Sequence, residues 1–434
     1  MDLIVKNCKK IDGIIAVGGD KSITHRSLII ASIGQGETEV HNYSHADDCF
    51  STLKCMRRLG VDIEVDKNTI FVKGRGIDGL SEPDDILDCG NSGTTMRLLT
   101  GLLAGQKFYT VLNGDASLRK RPMGRVIEPL SLMGAVINSR KNGLAPLSII
   151  GNKLTGIEYE LPVASAQVKS ALMFAGLYAD SETVIVESVP TRDHTERLFE
   201  FYGIKFSRHG KRIRVYPGSN FRGKLIDVPN DISSAAFFIV LGLISATKEL
   251  ILKDTGINLL RCGIIEVLKG VGADITIENH RMCAGEPAAD IIVKKSELEP
   301  FYIAGALVPK LIDEIPVLTV LATQINGKSI IRDAQELRLK ETDRIKAIAT
   351  ELKKMGADIE EREDGLRIKG PTRLTGCLCK SHNDHRIAMA LAIAGLVAEG
   401  ETMIKNVDCI SISFPSFTEL LKQIAGGDYV STKD

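Results

Sequence analysis

Leu59-Gly60-Val61-Asp62-Ile63 is a predicted strand that recurs three more times along the chain, and this recurrence decides the fold. The other copies are Met133-Gly134-Ala135-Val136-Ile137, Val271-Gly272-Ala273-Asp274-Ile275 and Met355-Gly356-Ala357-Asp358-Ile359. A second strand pattern, apolar residues followed by a polar one, ends at Asn42, Asn113, Ser188, Asp254, Asp333 and Asn406. Because these ends lie 71, 75, 66, 79 and 73 residues apart, the chain repeats a unit of about 70 residues six times.

Each repeat follows the order helix, strand, helix, strand, often with one more short strand such as Thr69–Lys73 or Leu366–Lys369. This order predicts an α/β unit whose helices pack on one face of a small sheet. At 434 residues the chain exceeds one compact core, so we expect two globular domains.

The sixth repeat indicates how the domains divide the chain. Too few residues follow Ile424 for its closing strands, whereas residues 2–5 and 13–17 are strand-like. We therefore predict one domain from residues 1–17 and 229–434, containing repeats four to six, and another from residues 18–228, containing repeats one to three. Two crossings of the chain predict a cleft between the domains, where ligands commonly bind.

The composition excludes several functions. The 55 basic residues balance the 55 acidic ones, aromatic residues are 5% and Trp is absent, so we expect neither nucleic acid nor a membrane surface as a partner. The longest apolar runs are too short to span a bilayer, and the first residues show no signal-peptide pattern. Nine cysteines without a Cys-x-x-Cys pair predict reduced thiols in a cytoplasmic protein, with no metal and no cofactor. We expect a monomer.

The polar cluster that opens the first repeat suits an anion. In Gly18–Arg26 two glycines allow close backbone approach, Ser22 can cap the helix, and Lys21 and Arg26 supply positive charge. The N–H groups at a helix start bind phosphate well, although the spacing is not that of a Walker loop. An ordinary glycine turn with solvated cations is the alternative for this cluster alone.

Similar polar clusters follow in the second repeat. Cys89–Arg97 again places small residues, here Gly93 and Thr94, at a helix start, and a capped helix is again the alternative. Arg121 lies before the second helix of that repeat, where Pro122 fixes a turn that can hold the Arg toward an anion. A solvated charge run is the alternative there.

The third repeat adds hydrogen-bonding groups. Ser165 and Gln167 open it, and both can bind a polyol or a phosphate. Arg192, after the strand of this repeat, can bind phosphate as a fork. His194 lies nearby, and a hydrogen bond to a loop carbonyl would account for it without a ligand.

Carboxylates appear in the fifth repeat. Asp313 and Glu314 at a helix entry are either caps favoured by the helix dipole or include a general base, which is worth about 10²–10⁴-fold in rate. Glu341 lies between Lys340 and Arg344 in the turn before an amphipathic helix. Surface ion pairing of little energetic worth is the alternative for this group.

Arg386, in the first turn of the sixth repeat, opposes the helix dipole, which costs a few tenths of a kcal/mol. An anionic ligand would offset that cost. The cations of these clusters exceed the need of one carboxylate; they are Lys21, Arg26, Arg121, Arg192, Lys340, Arg344 and Arg386. With Asp313 and Glu341 for proton transfer, they predict a group transfer between two small metabolites, at least one of them phosphorylated.

These clusters resemble those of the enolpyruvyl transferases, and within them the branch that acts on shikimate 3-phosphate. The resemblance runs from Gly18 to about Leu421 and rests on Gly19–Arg26, Asn91–Arg97, Arg121-Pro122, Arg338–Arg344 and Asp384–Arg386. It implies two domains of three βαβαββ repeats each. It also implies an enzyme that transfers the enolpyruvyl group of phosphoenolpyruvate to the 5-hydroxyl of shikimate 3-phosphate and releases phosphate through a tetrahedral intermediate, on the route to chorismate and aromatic amino acids.

The resemblance further implies the role of each site residue. Shikimate 3-phosphate is expected to bind Lys21, Ser22, Arg26, Ser165, Ala166, Gln167, Arg192, Asp313 and Lys340. Phosphoenolpyruvate is expected to bind Lys21, Gly93, Thr94, Arg121, Gln167, Arg344 and Arg386. Asp313 is expected to take the hydroxyl proton, and Glu341 with Lys21 to handle the protons of the methylene carbon. Gly93 leaves room for glyphosate, which implies inhibition competitive with phosphoenolpyruvate.

The chain departs from the pattern of the family at three positions. Ala166 stands where members often have Ser, so a side-chain contact to phosphate is missing or is replaced by Arg192. Ile412 stands where some members have Lys, and Glu336 where some have Asn, so no ligand role is assigned to either.

Two alternatives remain. A UDP-N-acetylglucosamine enolpyruvyl transferase would place a reactive Cys near Arg119–Arg121, but the sequence has none between Cys89 and Cys262. A non-catalytic protein that binds phosphorylated ligands would keep the arginines and need neither Asp313 nor Glu341.

Overall fold

The computed structural model describes residues 1–433. The helices are α1 (Lys21–Ile33), α2 (Asp47–Arg58), α3 (Gly93–Ala104), α4 (Gly124–Leu132), α5 (Ala166–Gly176), α6 (His194–Tyr202), α7 (Ile232–Ser245), α8 (Gly263–Gly270), α9 (Val308–Leu311), α10 (Ile315–Ala322), α11 (Arg344–Lys354), α12 (His385–Val397) and α13 (Phe417–Ala425). The strands are β1 (Asp2–Lys6), β2 (Ile11–Ile15), β3 (Gln35–His41), β4 (Asp62–Asp66), β5 (Thr69–Arg75), β6 (Leu87–Asp88), β7 (Tyr109–Asn113), β8 (Val136–Arg140), β9 (Leu144–Ile150), β10 (Glu158–Leu161), β11 (Thr183–Glu187), β12 (Phe206–His209), β13 (Arg212–Val215), β14 (Leu225–Asp227), β15 (Ala246–Gly256), β16 (Ile275–Cys283), β17 (Glu286–Val293), β18 (Tyr302–Ile303), β19 (Gly327–Ile331), β20 (Asp358–Arg362), β21 (Gly365–Gly370), β22 (Leu378–Lys380), β23 (Glu401–Lys405) and β24 (Val430–Lys433).

The strands form six sheets of four strands each. In the third repeat, for example, β10 is parallel to β11, and β11, β13 and β12 continue antiparallel. The other sheets have the orders β14-β3-β5-β4, β6-β7-β9-β8, β16-β17-β15-β2, β18-β19-β21-β20 and β22-β23-β1-β24. Each sheet with its two main helices is a βαβαββ repeat.

The chain forms two compact units. Unit A contains Gly19–Val228 and Met282–Glu286, and unit B contains Met1–Gly18, Pro229–Arg281 and the chain from Pro287 onward. The segment Met282–Glu286 groups with unit A, whereas the sequence-based division assigned it to the domain of repeats four to six.

The first strand of one repeat in each unit comes from a distant part of the chain. β2 precedes α1 in the sequence, yet it pairs in parallel with β15 of unit B. β14 precedes α7, yet it pairs in parallel with β3 of unit A. Each unit therefore completes a sheet with a strand from the far end of its own sequence.

The sixth repeat differs from the expectation that too few residues follow Ile424 for closing strands. β24 follows α13 and pairs antiparallel with β1, which also pairs antiparallel with β23. Gly426 ends α13 with a φ of +94°, a conformation that glycine adopts at little cost. That turn leaves enough chain for one closing strand, and the N-terminus supplies the other.

Four of the six recurring polar residues at strand ends have a conformational cause. Asn42, Asp254, Asp333 and Asn406 have φ angles of 50°, 48°, 57° and 59°. Asn and Asp enter this left-handed region more readily than other non-glycine residues, because their short side chains can hydrogen-bond locally. The repeat is therefore visible in the sequence partly because the chain leaves four of these six strands through the same kind of turn.

The first helix of each repeat lies in the protein interior. Nearly all residues of α1, α3 and α5 in unit A are buried, as are those of α7, α10 and α12 in unit B. A helix that is apolar on all sides is typical of a core position. The chain segments at the starts of these inner helices are thereby held rigidly. Within residues 1–433, no helix combines the length and apolarity needed to cross a membrane.

Candidate functional site

In unit A, the three inner helices start with similar caps. The side chains of Asp20, Ser92 and Ser165 accept hydrogen bonds from backbone N–H groups in the first turns of α1, α3 and α5. Those first turns carry uncharged or basic side chains, including Lys21 and Gln167. The caps of α3 and α5 are uncharged serines, so the partial positive charge of these two helix starts remains available to an anion, whereas the Asp20 carboxylate already meets that of α1.

Lys21 is held by an acidic partner. Its Nζ lies 2.8 Å from Oδ2 of Asp48, and both side chains are largely buried. Asp48 belongs to the first turn of α2, where the sequence analysis gave it no role. The residue pair Asp47-Asp48 is typical of any helix start, so the sequence carried no signal for this contact.

A buried chain of hydroxyl groups joins α1, α2 and α3. Nδ1 of His25 lies 2.7 Å from Oγ1 of Thr52, which lies 2.7 Å from Oγ1 of Thr95. Thr95 Oγ1 donates to Oγ of Ser92 at 2.7 Å. Burial, with the charges of Lys21 and Arg26, holds the pKa of His25 well below its ordinary value. His25 is therefore a neutral link in this network at physiological pH.

Gln167 connects α5 to α3. Its Oε1 accepts from Nη1 of Arg97 at 2.7 Å, and its Nε2 donates to Oγ1 of Thr94 at 2.9 Å. A Cβ added to Gly93 would lie 2.7 Å from Nη1 of Arg97 and 3.5 Å from Nη1 of Arg121. The structure thus brings the predicted residues together around two guanidinium groups, of which that of Arg97 had been assigned no role.

Arg121 also lies beside Gly93 in unit A. Its Nη2 donates to Oδ1 of Asn91 at 2.7 Å and to Oγ of Ser117 at 3.2 Å. The Asn91 contact fixes the Arg beside the start of α3. The turn before α4 therefore holds the guanidinium near Gly93, as the rigid turn at Pro122 suggested.

Arg26 lies deeper in unit A than the other predicted cations. Its guanidinium donates to Oγ1 of Thr195 at 2.8 Å, to Oγ of Ser170 at 2.8 Å and to the carbonyl of Ser22 at 2.9 Å. Burial and the nearby charge of Arg192 lower the pKa of Arg26 to about 10, so it stays protonated at neutral pH. Its side chain links α1, α5 and α6, and a direct contact to a ligand stays a prediction.

In unit B, three carboxylates surround Arg344, which is 2% exposed. Its Nε donates to Asp384 at 2.8 Å, its Nη2 to Glu341 at 2.6 Å and its Nη1 to Asp313 at 3.3 Å. Burial alone would lower the pKa of Arg344, but these carboxylates hold it above its ordinary value. Lys340 Nζ lies 3.8 Å from Oδ1 of Asp313. All four predicted residues of the fifth repeat therefore meet in unit B.

Arg386 is satisfied by the protein to a greater extent than its sequence position suggested. Its Nη1 donates to the carbonyl of Ser233 at 3.2 Å and lies 4.0 Å from Oε1 of Glu314. The backbone N–H of Arg386 donates to the cap Asp384 at 2.8 Å. These contacts offset part of the cost of a cation at the start of α12, which the sequence analysis had left to an anionic ligand.

Arg338 braces the segment that precedes Arg344. It donates to the carbonyls of Arg362 and Glu363 and pairs with Asp343 and Glu361. The short 3-10 turn at Gln335–Leu339 is thereby attached to the β20–β21 hairpin. Arg338 thus has a structural explanation within the motif that carried the resemblance.

Glu351, in α11, contacts the segment that precedes α12. It is fully buried and accepts hydrogen bonds from Lys354 at 2.7 and 2.8 Å and from the Lys380 N–H at 3.1 Å. Nε2 of His382 lies 2.8 Å away. Although burial alone would raise it, these partners hold the pKa of Glu351 below its ordinary value.

Replacing Glu351 by Gln should therefore lower the free energy of unfolding at neutral pH. A carboxyl whose folded-state pKa is depressed stabilises the fold above its unfolded pKa of about 4.3, and this contribution is lost as the pH falls through the folded value. Urea unfolding of wild type and Glu351→Gln across this range should show a difference that shrinks toward acid pH. The exposed Glu278, changed to Gln, is the matched control. A difference that is independent of pH would contradict the prediction.

Known proteins share this fold. An enolpyruvyl transferase of Streptomyces tendae, NikO, has a similar structure, with a TM-score of 0.79 and 15% identity over 98% of this chain and 97% of its own. The fold is therefore that of the enolpyruvyl transferases. The EPSP synthase of Acinetobacter baumannii is similar at a TM-score of 0.89 and 42% identity, with both chains fully covered.

The amino-acid sequence is similar to those of one branch of the enolpyruvyl transferases. The 3-phosphoshikimate 1-carboxyvinyltransferase of Thermoanaerobacter sp. (strain X514) is 52% identical over 417 residues, which are 96% of this chain and 98% of that protein. The sequence profile of the family described as EPSP synthase (3-phosphoshikimate 1-carboxyvinyltransferase) matches residues 5–421. The chain belongs to this family. The predicted fold class and the predicted enzyme family are confirmed, and the UDP-N-acetylglucosamine alternative is not favoured.

Proposed function

We propose that the protein transfers the enolpyruvyl group of phosphoenolpyruvate to the 5-hydroxyl of shikimate 3-phosphate and releases phosphate, a step toward chorismate and the aromatic amino acids. Family membership over nearly the whole chain supports the proposal. The observation that carries it is the arrangement around Arg344, where a permanent cation lies beside the two carboxylates proposed to move protons, Asp313 and Glu341.

Each substrate is assigned its own set of residues. Shikimate 3-phosphate binds Lys21, Ser22, Arg26, Ser165, Ala166, Gln167, Arg192, Asp313 and Lys340. Phosphoenolpyruvate binds Lys21, Gly93, Thr94, Arg121, Gln167, Arg344 and Arg386. The starts of α3 and α5, which have uncharged caps, support the phosphate contacts, because backbone N–H groups and the helix dipole favour negative charge there. Arg121 and Arg344 can bind a carboxylate or a phosphate as forks.

The reaction then needs three proton transfers and one group transfer. Asp313 accepts the proton of the 5-hydroxyl of shikimate 3-phosphate while the hydroxyl oxygen forms a bond to C2 of phosphoenolpyruvate. Glu341, with Lys21, delivers a proton to the methylene carbon, which becomes the methyl group of the tetrahedral intermediate. One methyl proton then returns to the protein as the C2–O bond to phosphate breaks. Phosphate leaves with the electron pair of that bond, and the enol double bond forms again.

Fixed charges stabilise this sequence of steps. The pKa of Arg344 is held above its ordinary value, so Arg344 remains charged while its carboxylate neighbours gain and lose protons. Positive groups that are in place before the reaction need no reorganisation, and such preorganised electrostatics usually contributes most to catalysis. Monomeric state and cytoplasmic location stay predictions.

Phosphate release from phosphoenolpyruvate tests the proposal. The assay is run in parallel with shikimate 3-phosphate and with UDP-N-acetylglucosamine as acceptors. We expect release with the shikimate ester alone. Release only with the sugar nucleotide would contradict the proposed acceptor, and binding of both substrates without release would support a non-catalytic protein.

Glyphosate should inhibit this reaction in competition with phosphoenolpyruvate. Replacing Gly93 by Ala should raise both the KM for phosphoenolpyruvate and the inhibition constant by about 10- to 100-fold, because the added Cβ meets the Arg97 guanidinium at 2.7 Å and small displacements at a reacting centre are costly. Steady-state kinetics at varied phosphoenolpyruvate measures both effects.

The matched control for this prediction is Gly270→Ala at the end of α8, where an added Cβ meets nothing within 4 Å. Inhibition that does not depend on the phosphoenolpyruvate concentration would show that the two compounds do not share a site.

A further inference from the structure

The interior of unit B contains an ion cluster that the proposed mechanism does not use. Glu314 is fully buried and accepts hydrogen bonds from Nη1 of Arg261 at 3.1 Å to one oxygen and 3.2 Å to the other. Oγ of Ser233 donates to Glu314 and accepts from Nη2 of Arg261. These three residues are here called the Arg261 cluster. Arg261 lies in the loop before α8, Glu314 in the turn before α10, and Ser233 in the first turn of α7.

We propose that the Arg261 cluster positions Asp313 and Arg386 for the reaction. The inference rests on the proposed function, and it adds Arg261, Ser233 and Glu314 as positioning residues. None of them needs to touch a substrate. Each acts through a neighbour that is proposed to do so.

The link to Asp313 is covalent. Asp313 and Glu314 are adjacent in one 3-10 turn, Ile312–Glu314, which continues into α10. The fully buried Glu314 carboxylate is held by Arg261 and Ser233, whereas the Asp313 side chain faces Arg344 at 3.3 Å and Lys340 at 3.8 Å. Fixing Glu314 therefore fixes the backbone from which Asp313 extends.

The link to Arg386 runs through Ser233 and Glu314. The Ser233 carbonyl accepts from Nη1 of Arg386 at 3.2 Å, and the Glu314 carboxylate lies 4.0 Å from the same nitrogen. Ser233 thus contacts the cluster with its hydroxyl and Arg386 with its backbone. A change in the cluster is transmitted to a general base and to an anion-binding Arg together.

The energetics of the cluster support a role beyond stability. A buried ion pair of this kind is often no more stable than an apolar replacement of similar volume, because removing both charges from water is costly. The planar guanidinium of Arg261 does, however, define an orientation that apolar packing does not, because Nη1 donates to Glu314 and Nη2 donates to Ser233. Asp231 lies 3.8 Å from Nη2 of Arg261. The two carboxylates, Asp231 and Glu314, thus balance the two positive charges of Arg261 and Arg386.

Glu314→Gln tests the inference, with Asp290→Asn as the matched control. Asp290 is another buried carboxylate of unit B and pairs with Lys253 and Asn279; no contact joins it to Asp313 or Arg386 among the described residues. We expect Glu314→Gln to lower kcat by about 10- to 100-fold and to raise the KM for phosphoenolpyruvate, since misplacing a reacting group by about 1 Å can cost 10²-fold. Asp290→Asn should lower the melting temperature and leave both constants within about twofold.

A double-mutant cycle separates positioning from general damage. If Glu314 acts on kcat through Asp313, Glu314→Gln should cost less than about threefold in kcat when Asp313 is already Asn, because residues that act as a unit are not additive. A full and independent loss in the Asp313→Asn background would overturn the link to Asp313. Unchanged kcat and KM in a folded Glu314→Gln protein would overturn the whole inference.

Arg261→Lys provides a second variant in case Glu314→Gln does not fold. It keeps the charge but loses the planar group that donates to Glu314 and to Ser233 from two different nitrogens, so it should show the same change in kcat and KM with a smaller loss of stability. Should the wild-type protein release no phosphate, the proposed function fails and the cluster is tested by calorimetric titration with phosphoenolpyruvate. Equal affinities of wild type and Arg261→Lys would then overturn the inference, and a weaker affinity of the variant would support it.

Discussion

Replacing Arg344 by Gln is expected to lower the free energy of unfolding by about 3–5 kcal/mol and to reduce turnover by about 10²–10³-fold or more. Arg344 is 2% exposed and is the shared partner of Asp384, Glu341 and Asp313. Removing its charge leaves three neighbouring carboxylates without their common cation, in a place where water screens them poorly. Those carboxylates should then repel one another or take up protons, and the proposed binding group for phosphoenolpyruvate is lost.

Urea unfolding and the phosphate-release assay measure the two effects. Arg367→Gln is the matched control, because Arg367 pairs with Glu360 at 2.9 Å and both side chains are exposed. Exposed pairs of this kind are worth about 0–1 kcal/mol, so the control should retain its stability and activity. An Arg344→Gln protein as stable as the control would contradict the description of this site as a buried ion network.

Replacing Asp313 by Asn is expected to reduce kcat by about 10²–10⁴-fold while both substrates still bind. The size follows from the usual contribution of a positioned general base, and Asn keeps the shape of Asp but cannot accept a proton. Lys340 and Arg344 both approach Asp313 Oδ1, at 3.8 and 3.3 Å, so the site should stay assembled around a neutral side chain. Rapid-quench and steady-state kinetics would assign the loss to turnover, and calorimetry would follow binding of shikimate 3-phosphate.

This variant also discriminates between the proposed enzyme and the non-catalytic alternative. A protein that only binds phosphorylated ligands should be unaffected in its function by Asp313→Asn. Asp358→Asn, at an exposed position of β20, controls for the loss of one negative charge. A kcat within about twofold of wild type would remove Asp313 from the mechanism, and the proton would then need another acceptor.

The sequence predicted much of the fold because the repeat is written in local interactions. Four of the six polar residues at strand ends mark left-handed turns, and Ser and Asp at helix starts mark caps, so both signals depend on neighbours within a few residues. The candidate residues at the starts of α1, α3 and α5 were found in this way. The candidate residues around Arg344 were found because Lys340 and Glu341, a base and an acid, are adjacent in the turn before α11.

The remaining contacts join residues that are far apart in the sequence. Lys21 and Asp48 are separated by an entire strand, and Glu314 and Arg261 are 53 residues apart. Such pairs are set by packing of the inner helices, which composition and spacing do not encode. β24 was missed for a related reason, since a short strand is stabilised by its partner β1 and carries little signal of its own.

The position of β1 at the centre of the last sheet has a consequence for synthesis on the ribosome. β1 pairs with residues 401–404 and with residues 430–433, so its partners emerge about 400 residues later. At the usual 5–20 residues per second, this delay is about 20–80 s. The three sheets of unit A have all their strands once β14 has emerged, whereas β1 still lacks both of its partner strands at that point. β1 is thus made long before it can be paired, and the side chains of Leu3 and Val5, which are fully buried in the finished sheet, lack that cover during the interval.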